Sequence, residues 1–142
     1  MKPIAQTIFT TPDQSIHGNC FSACVASLLE LPLDAVPTFE TMGQRWAGVL
    51  YEFLFSQGYN FQGTFYTKSY FNWWDELTQH SDGVDGYYIV EGNSPRAYVL
   101  RGHAVIYRDG AVVHDPHASA AGLATVENVL MIERRTAPPG DG

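Results

Sequence analysis

Cysteine is scarce in this chain of 142 residues: there are two, Cys20 and Cys24, in one segment that reads as helix. One helical turn sets their side chains too far apart, and in the wrong directions, for an easy disulfide. A disulfide framework is therefore excluded, and the expected setting is a reducing, cytoplasmic one (the host cytoplasm if a phage encodes the chain). Charge is also sparse, at 16 % Asp, Glu, Lys and Arg, and unevenly signed, with 8 Lys and Arg against 15 Asp and Glu for a net charge of −7. No basic run or stripe is present, which argues against a tightly held nucleic acid. Long apolar runs are missing, so no membrane association is expected, and the mixed polar stretch Met1 to Thr11 does not read as a secretory signal. Repeats and linkers are absent as well.

Apolar side chains are plentiful: 45 % of the chain is hydrophobic and 13 % aromatic. That suffices for a core without staples. The expected organisation is one domain over 1–135 and a flexible Pro- and Gly-rich tail over 136–142.

Residues 1–19 look irregular. Asn19 is a suitable N-cap, and Phe21, Ala23, Cys24, Val25, Leu28 and Leu29 follow at helical spacing until Pro32. A second helix is expected over about residues 40–57, ended by Gly58. Tyr59 to Thr67 reads as a strand and Ser69 to Gln79 as a short helix. Strands follow at Tyr87 to Val90, within Ala97 to Tyr107, at Ala111 to Asp115 and near Val129 to Glu133. Helices first and strands afterwards predict an α+β fold, a Cys20 helix packed on a C-terminal antiparallel sheet.

Three features carry chemistry. Cys20 falls in the first turn of its helix, where free N–H groups and the helix dipole favour thiolate, the form that attacks a carbonyl. A buried structural cysteine is the alternative, and it is the expected role of Cys24. The second feature is the stretch from Gly102 to Pro116. A three-residue hairpin loop, Arg108-Asp109-Gly110, would set His103 directly across from Asp115, whereas a two-residue loop would put them on opposite faces. Such a pair fixes the imidazole tautomer and leaves the other ring nitrogen to take a thiol proton. A satisfied core histidine and a turn aspartate are the plainer alternative. The third is Gln14, six residues before Cys20, whose amide could join the Cys20 N–H in holding an oxyanion.

Gln-x5-Cys before a helix, a distant His, and Asp-Pro after a hairpin together resemble papain-like cysteine peptidases, the peptidase C39-like group above all. The likeness covers about residues 14–29 and 102–116. The group's Asp-Cys-Gly reads Asn19-Cys20-Phe21 here. The stretches Gly18 to Cys24, Asn93 to Arg96 and Val113 to Ser119 are also similar to small phage and bacterial proteins. The resemblance implies a papain-like fold, with Cys20 as nucleophile, His103 as base, Asp115 as its orienter and Gln14 as oxyanion donor. It implies a cofactor-free cysteine hydrolase that cleaves an amide, peptide or isopeptide bond through an acyl-thioester. The substrate would be a peptide, a protein or a small amide. Acyl transfer to an amine, as in transglutaminases, and a phage-type binding protein that inhibits a host factor are the alternatives.

Further residues enter by position. Arg96 follows a turn-rich loop before the His103 strand and could bind a carboxylate or phosphate of a substrate; a solvated arginine is the alternative. Trp74, with Trp73 and Tyr70, could line a substrate cleft or pack as core. His17, His114 and His117 raise a zinc site, but strand alternation splits His114 from His103 and Asp115, so no metal is expected.

Overall fold

The computed structural model describes residues 1–96 and 102–136. The expected strand start at residue 97, and the tail beyond residue 136, lie outside the described residues. The described residues form three helices, α1 (Cys20–Leu29), α2 (Trp46–Ser56) and α3 (Trp73–His80), and five strands, β1 (Tyr59–Tyr66), β2 (Tyr88–Gly92), β3 (His103–Arg108), β4 (Ala111–His114) and β5 (Asn128–Arg134). The strands make one sheet in the order β1-β5-β2-β3-β4, and every pairing is antiparallel. This is the expected α+β class. No described helix is long and apolar enough to cross a membrane.

α1 is buried along its whole length. A helix apolar all round belongs inside a core. It packs, with α2, on the sheet face formed by Ile89, Ala104, Ile106, Leu130 and Ile132. The opposite face, with Val90, Val105 and Val129, is covered by α3 through Trp73, Trp74 and Leu77. The two polar residues inside α1 are satisfied: Ser27 Oγ donates to Ala23 O at 2.7 Å and accepts from Ile4 N at 2.8 Å, and Ser22 bonds to Glu40. The expected second helix begins later than residue 40, because the chain first makes two short 3-10 turns at Phe39–Thr41 and Gly43–Arg45.

The segment 1–19 is irregular, as expected, but firmly tied. Asn19 makes no side-chain cap to α1. Its Oδ1 instead accepts from Thr7 N at 3.0 Å and Ile8 N at 2.9 Å, and its Nδ2 donates to Thr7 Oγ1 at 3.0 Å. Gln6 N donates to Pro116 O at 3.0 Å, so the segment also meets the end of the β4 loop. Gly18 is needed for this approach: a Cβ there would lie 3.0 Å from Ile8 O and 3.1 Å from Gln6 Nε2.

Candidate active site

The β3–β4 hairpin turns by another route than the three-residue loop expected of it. Arg108 pairs with Ala111 and Tyr107 with Val112, so the loop is the two residues Asp109 and Gly110. Both have positive φ, 53° and 80°, the signature of the tight mirror-image turn that Asp-Gly favours. That turn alone would put His103 and Asp115 on opposite faces. The register then slips, because the next pair is Ile106 with His114, and Val113 bulges out. One extra residue restores the parity. Continued, this register makes His103 and Asp115 diagonal neighbours on one face, still within reach of each other. His103 Nε2 lies 2.9 Å from Asp115 Oδ1, with the two side chains 2 % and 3 % exposed.

The Asp115 carboxylate is held from three sides. Its Oδ1 also accepts from His117 N at 2.9 Å, and its Oδ2 accepts from Gly122 N at 2.9 Å. Burial works against its charge, but the bonds from His103, His117 and Gly122 outweigh that and hold its pKa below the ordinary 3.8. The other ring nitrogen, His103 Nδ1, lies 3.4 Å from Arg96 Nη2. A guanidinium has donors only, so this contact requires an unprotonated Nδ1 and places the ring proton on Nε2, toward Asp115. Arg96 is braced by Ser94 Oγ, which accepts from its Nε at 2.9 Å.

Cys20 comes to the same place from the other side, at the start of α1. Cys20, His103 and Arg96 line one cavity of about 300 Å³, with Gln6, His17 and Glu40 also in its wall. Its sulfur lies against the β3 start and donates to Gly102 O at 3.5 Å. At this thiol burial outweighs the helix N-terminus, contrary to the expectation from its position. Burial pushes it from 9.0 up to about 12; the Ala104 and Phe21 N–H groups pull it down, but the Glu40 and Glu91 charges add to the rise. The origin is visible at the helix start. Glu40 reaches in from a 3-10 turn and accepts from Ser22 N at 3.2 Å and from Ser22 Oγ. It supplies the cap that Asn19 does not, and its negative charge offsets the dipole where Cys20 sits. Burial and the nearby carboxylates thus favour the neutral thiol at Cys20.

The other expected site residues are placed as follows. Gln14 lies on an exposed turn with φ 58°, its N–H donating to Thr11 O at 2.8 Å, and it is not in the cavity wall. The glutamine that is in the wall is Gln6, 7 % exposed. Its Nε2 donates to Ile8 O at 3.0 Å, and its Oε1 is buried with no hydrogen-bond partner among the described residues. Nothing in the spacing of Gln6 from Cys20 singles it out; its place follows from the pinning of segment 1–19. Trp74 packs against Tyr88 and Tyr107, at ring separations of 5.3 Å and 6.4 Å, on the sheet face away from α1. Cys24 is fully buried in the core. Of the histidines weighed for a metal, His17 is in the cavity wall, His114 Nε2 donates to Ile4 O at 2.8 Å, and His117 bonds Ser119 Oγ at 2.8 Å. No group of three or more His, Cys, Asp or Glu among the described residues could hold a metal ion.

No family model, curated protein or solved structure matches this chain.

Proposed function

We propose that this chain is a papain-like cysteine hydrolase acting on an amide bond, with Cys20 as nucleophile, His103 as base and Asp115 as its orienter. The observation that carries the proposal is the buried His103–Asp115 bond of 2.9 Å, made by a histidine in the wall of the cavity that Cys20 also lines. A carboxylate on Nε2 leaves Nδ1 as the proton acceptor on the cavity side.

The chemistry runs from a neutral resting pair. A substrate that displaces Arg96 from His103 Nδ1 frees the base. The thiol proton passes to Nδ1 as the Cys20 sulfur bonds to the carbonyl carbon, and the carbonyl electrons move to oxygen. The Cys20 backbone N–H, at the first position of α1, has no earlier helical turn to bond and is the oxyanion donor. The C–N bond then breaks, Nδ1 returns its proton to the leaving nitrogen, and a thioester remains on Cys20. Water, losing a proton to Nδ1, releases the acid and regenerates the thiol. An amine in place of that water would give acyl transfer with the same residues.

The high thiol pKa favours a second reading, in which the chain is a binding protein with an inert cysteine. A pool of fluorogenic peptide amides separates the two. Cleavage that is lost in Cys20→Ala and in His103→Ala supports the hydrolase; cleavage that survives either substitution, or none at all across the pool, removes it.

A further inference from the structure

A second cavity, of about 190 Å³, opens beside the first and shares Glu40 and Gly102 with it. Resting on the cysteine-hydrolase reading above, we propose that this second cavity receives a substrate side chain bearing an alkylammonium group, as lysine does. Its apolar walls are Phe21, Phe39 and Trp46; the Phe21 ring meets Phe39 edge-on at 5.5 Å and Trp46 at 6.0 Å. Its polar wall is two carboxylates, Glu40 and Glu91. Among the described residues neither carboxylate is paired with a Lys, Arg or His. Among the described residues the Glu91 carboxylate accepts only from the neutral Asn128 amide, at 3.2 Å. None of the steps assigned to Cys20, His103 and Asp115 uses Glu91.

Two carboxylates facing a small aromatic cavity without a counter-charge are costly unless a cation joins them. The cost is visible in Glu91, which burial and the Glu40 charge raise from 4.5 to about 7. An ammonium answers both walls at once, since its charge faces the carboxylates and the aromatic faces attract it. Ca²⁺ and Mg²⁺ want about six oxygen ligands and Zn²⁺ about four donors, and the described residues offer no group of three or more His, Cys, Asp or Glu to supply them. An uncharged side chain would fill the cavity but leave the two carboxylates with neutral hydrogen-bond donors and no cationic partner among the described residues. The volume is below that of a pocket for a whole small molecule and suits one side chain. Gly102, in the walls of both cavities, is the acceptor of the Cys20 S–H, so a side chain held here belongs to the substrate residue beside the scissile carbonyl.

The test separates this pocket from the chemistry of Cys20. Nα-acetyl-lysine methylamide and Nα-acetyl-norleucine methylamide are titrated into the Cys20→Ala protein, with the Trp46 indole N–H signal as the readout. The lysine amide should bind about tenfold more tightly, equivalent to about 1.4 kcal/mol. Adding Glu91→Gln should cut that preference to about threefold or less. Equal binding of the two amides, or lysine binding that leaves Trp46 unmoved, overturns the proposal even if the Glu91 variant misfolds. In parallel, wild-type protein is treated with matched lysyl and norleucyl acyloxymethyl ketones. Lysine preference in the titration with no adduct on Cys20 keeps the pocket and removes the cysteine-hydrolase reading. Adducts on Cys20 without lysine preference in either assay do the reverse.

Discussion

Replacing Cys20 with Ala should change the stability of this protein in a pH-dependent way. The folded thiol titrates at about 12 and an ordinary thiol at 9.0, a difference of about three pH units (12 − 9). The folded state therefore favours the neutral thiol. Below pH 9 both states keep their proton and the shift costs nothing. Above pH 9 the unfolded chain ionises first, and wild type loses about 1.4 kcal/mol per pH unit from this residue, up to about 4 kcal/mol near pH 12. Cys24 contributes in the same direction, since burial also raises it, but it is common to both proteins. At pH 7 the variant loses a buried sulfur and should be about 1 kcal/mol less stable. By pH 10 that deficit should be cancelled, and by pH 10.5 the variant should be the more stable protein. Urea unfolding at pH 7, 8.5, 9.5 and 10.5 measures the difference directly. A deficit that stays constant across the series would refute the buried neutral thiol.

Three further outcomes follow from neighbouring groups. Glu91→Gln should stabilise the protein at pH 8 by up to about 3 kcal/mol, from a shift of about 2.5 units (7 − 4.5) at about 1.4 kcal/mol each. Because the folded pKa is raised, wild type keeps its full stability below pH 4.5 and loses it as pH rises through 7, so the gain should vanish in melts at pH 4. Asp115→Asn turns an NH2 toward donors that now meet carboxylate oxygens, from His103 and His117 on one side or Gly122 on the other; it should cost about 1–3 kcal/mol in urea unfolding and lower any Cys20-dependent turnover, by less than His103→Ala does. Arg96→Gln should raise the rate of Cys20 alkylation by iodoacetamide at pH 8, read by intact mass, because it releases His103 Nδ1; an unchanged rate would show that Arg96 does not restrain the base.

Much of the frame was legible along the chain because it depends on neighbours in sequence. The apolar spacing from Phe21 to Leu29 announced α1, and alternation on either side of Asp109-Gly110 announced the hairpin. The length of the turn was not legible, since Arg108-Asp109-Gly110 suits either loop and the compensating bulge at Val113 has no signature of its own. Burial was misjudged in a consistent way. Asn19 reads as a cap, but it is spent on Thr7 and Ile8, and a carboxylate 20 residues beyond Cys20 takes its place (Glu40). Helix position alone suggested an activated thiol; the charge and burial that reverse it come from distant elements. Gln14 has the right spacing from Cys20 and lies on an exposed turn, while Gln6 reaches the cavity because backbone bonds to Pro116 and Asn19 draw its segment there.

The central claim is that the acyl group of a substrate is transferred to Cys20 with the help of His103. Rapid mixing with a p-nitrophenyl ester of Nα-acetyl-lysine, followed by acid quench and intact mass, tests it directly. The account predicts one acyl adduct per chain, mapped to Cys20, forming at least about 100-fold more slowly in His103→Ala, as expected for a general base. An adduct on another residue, or one that forms on Cys20 equally fast without the imidazole, would contradict it.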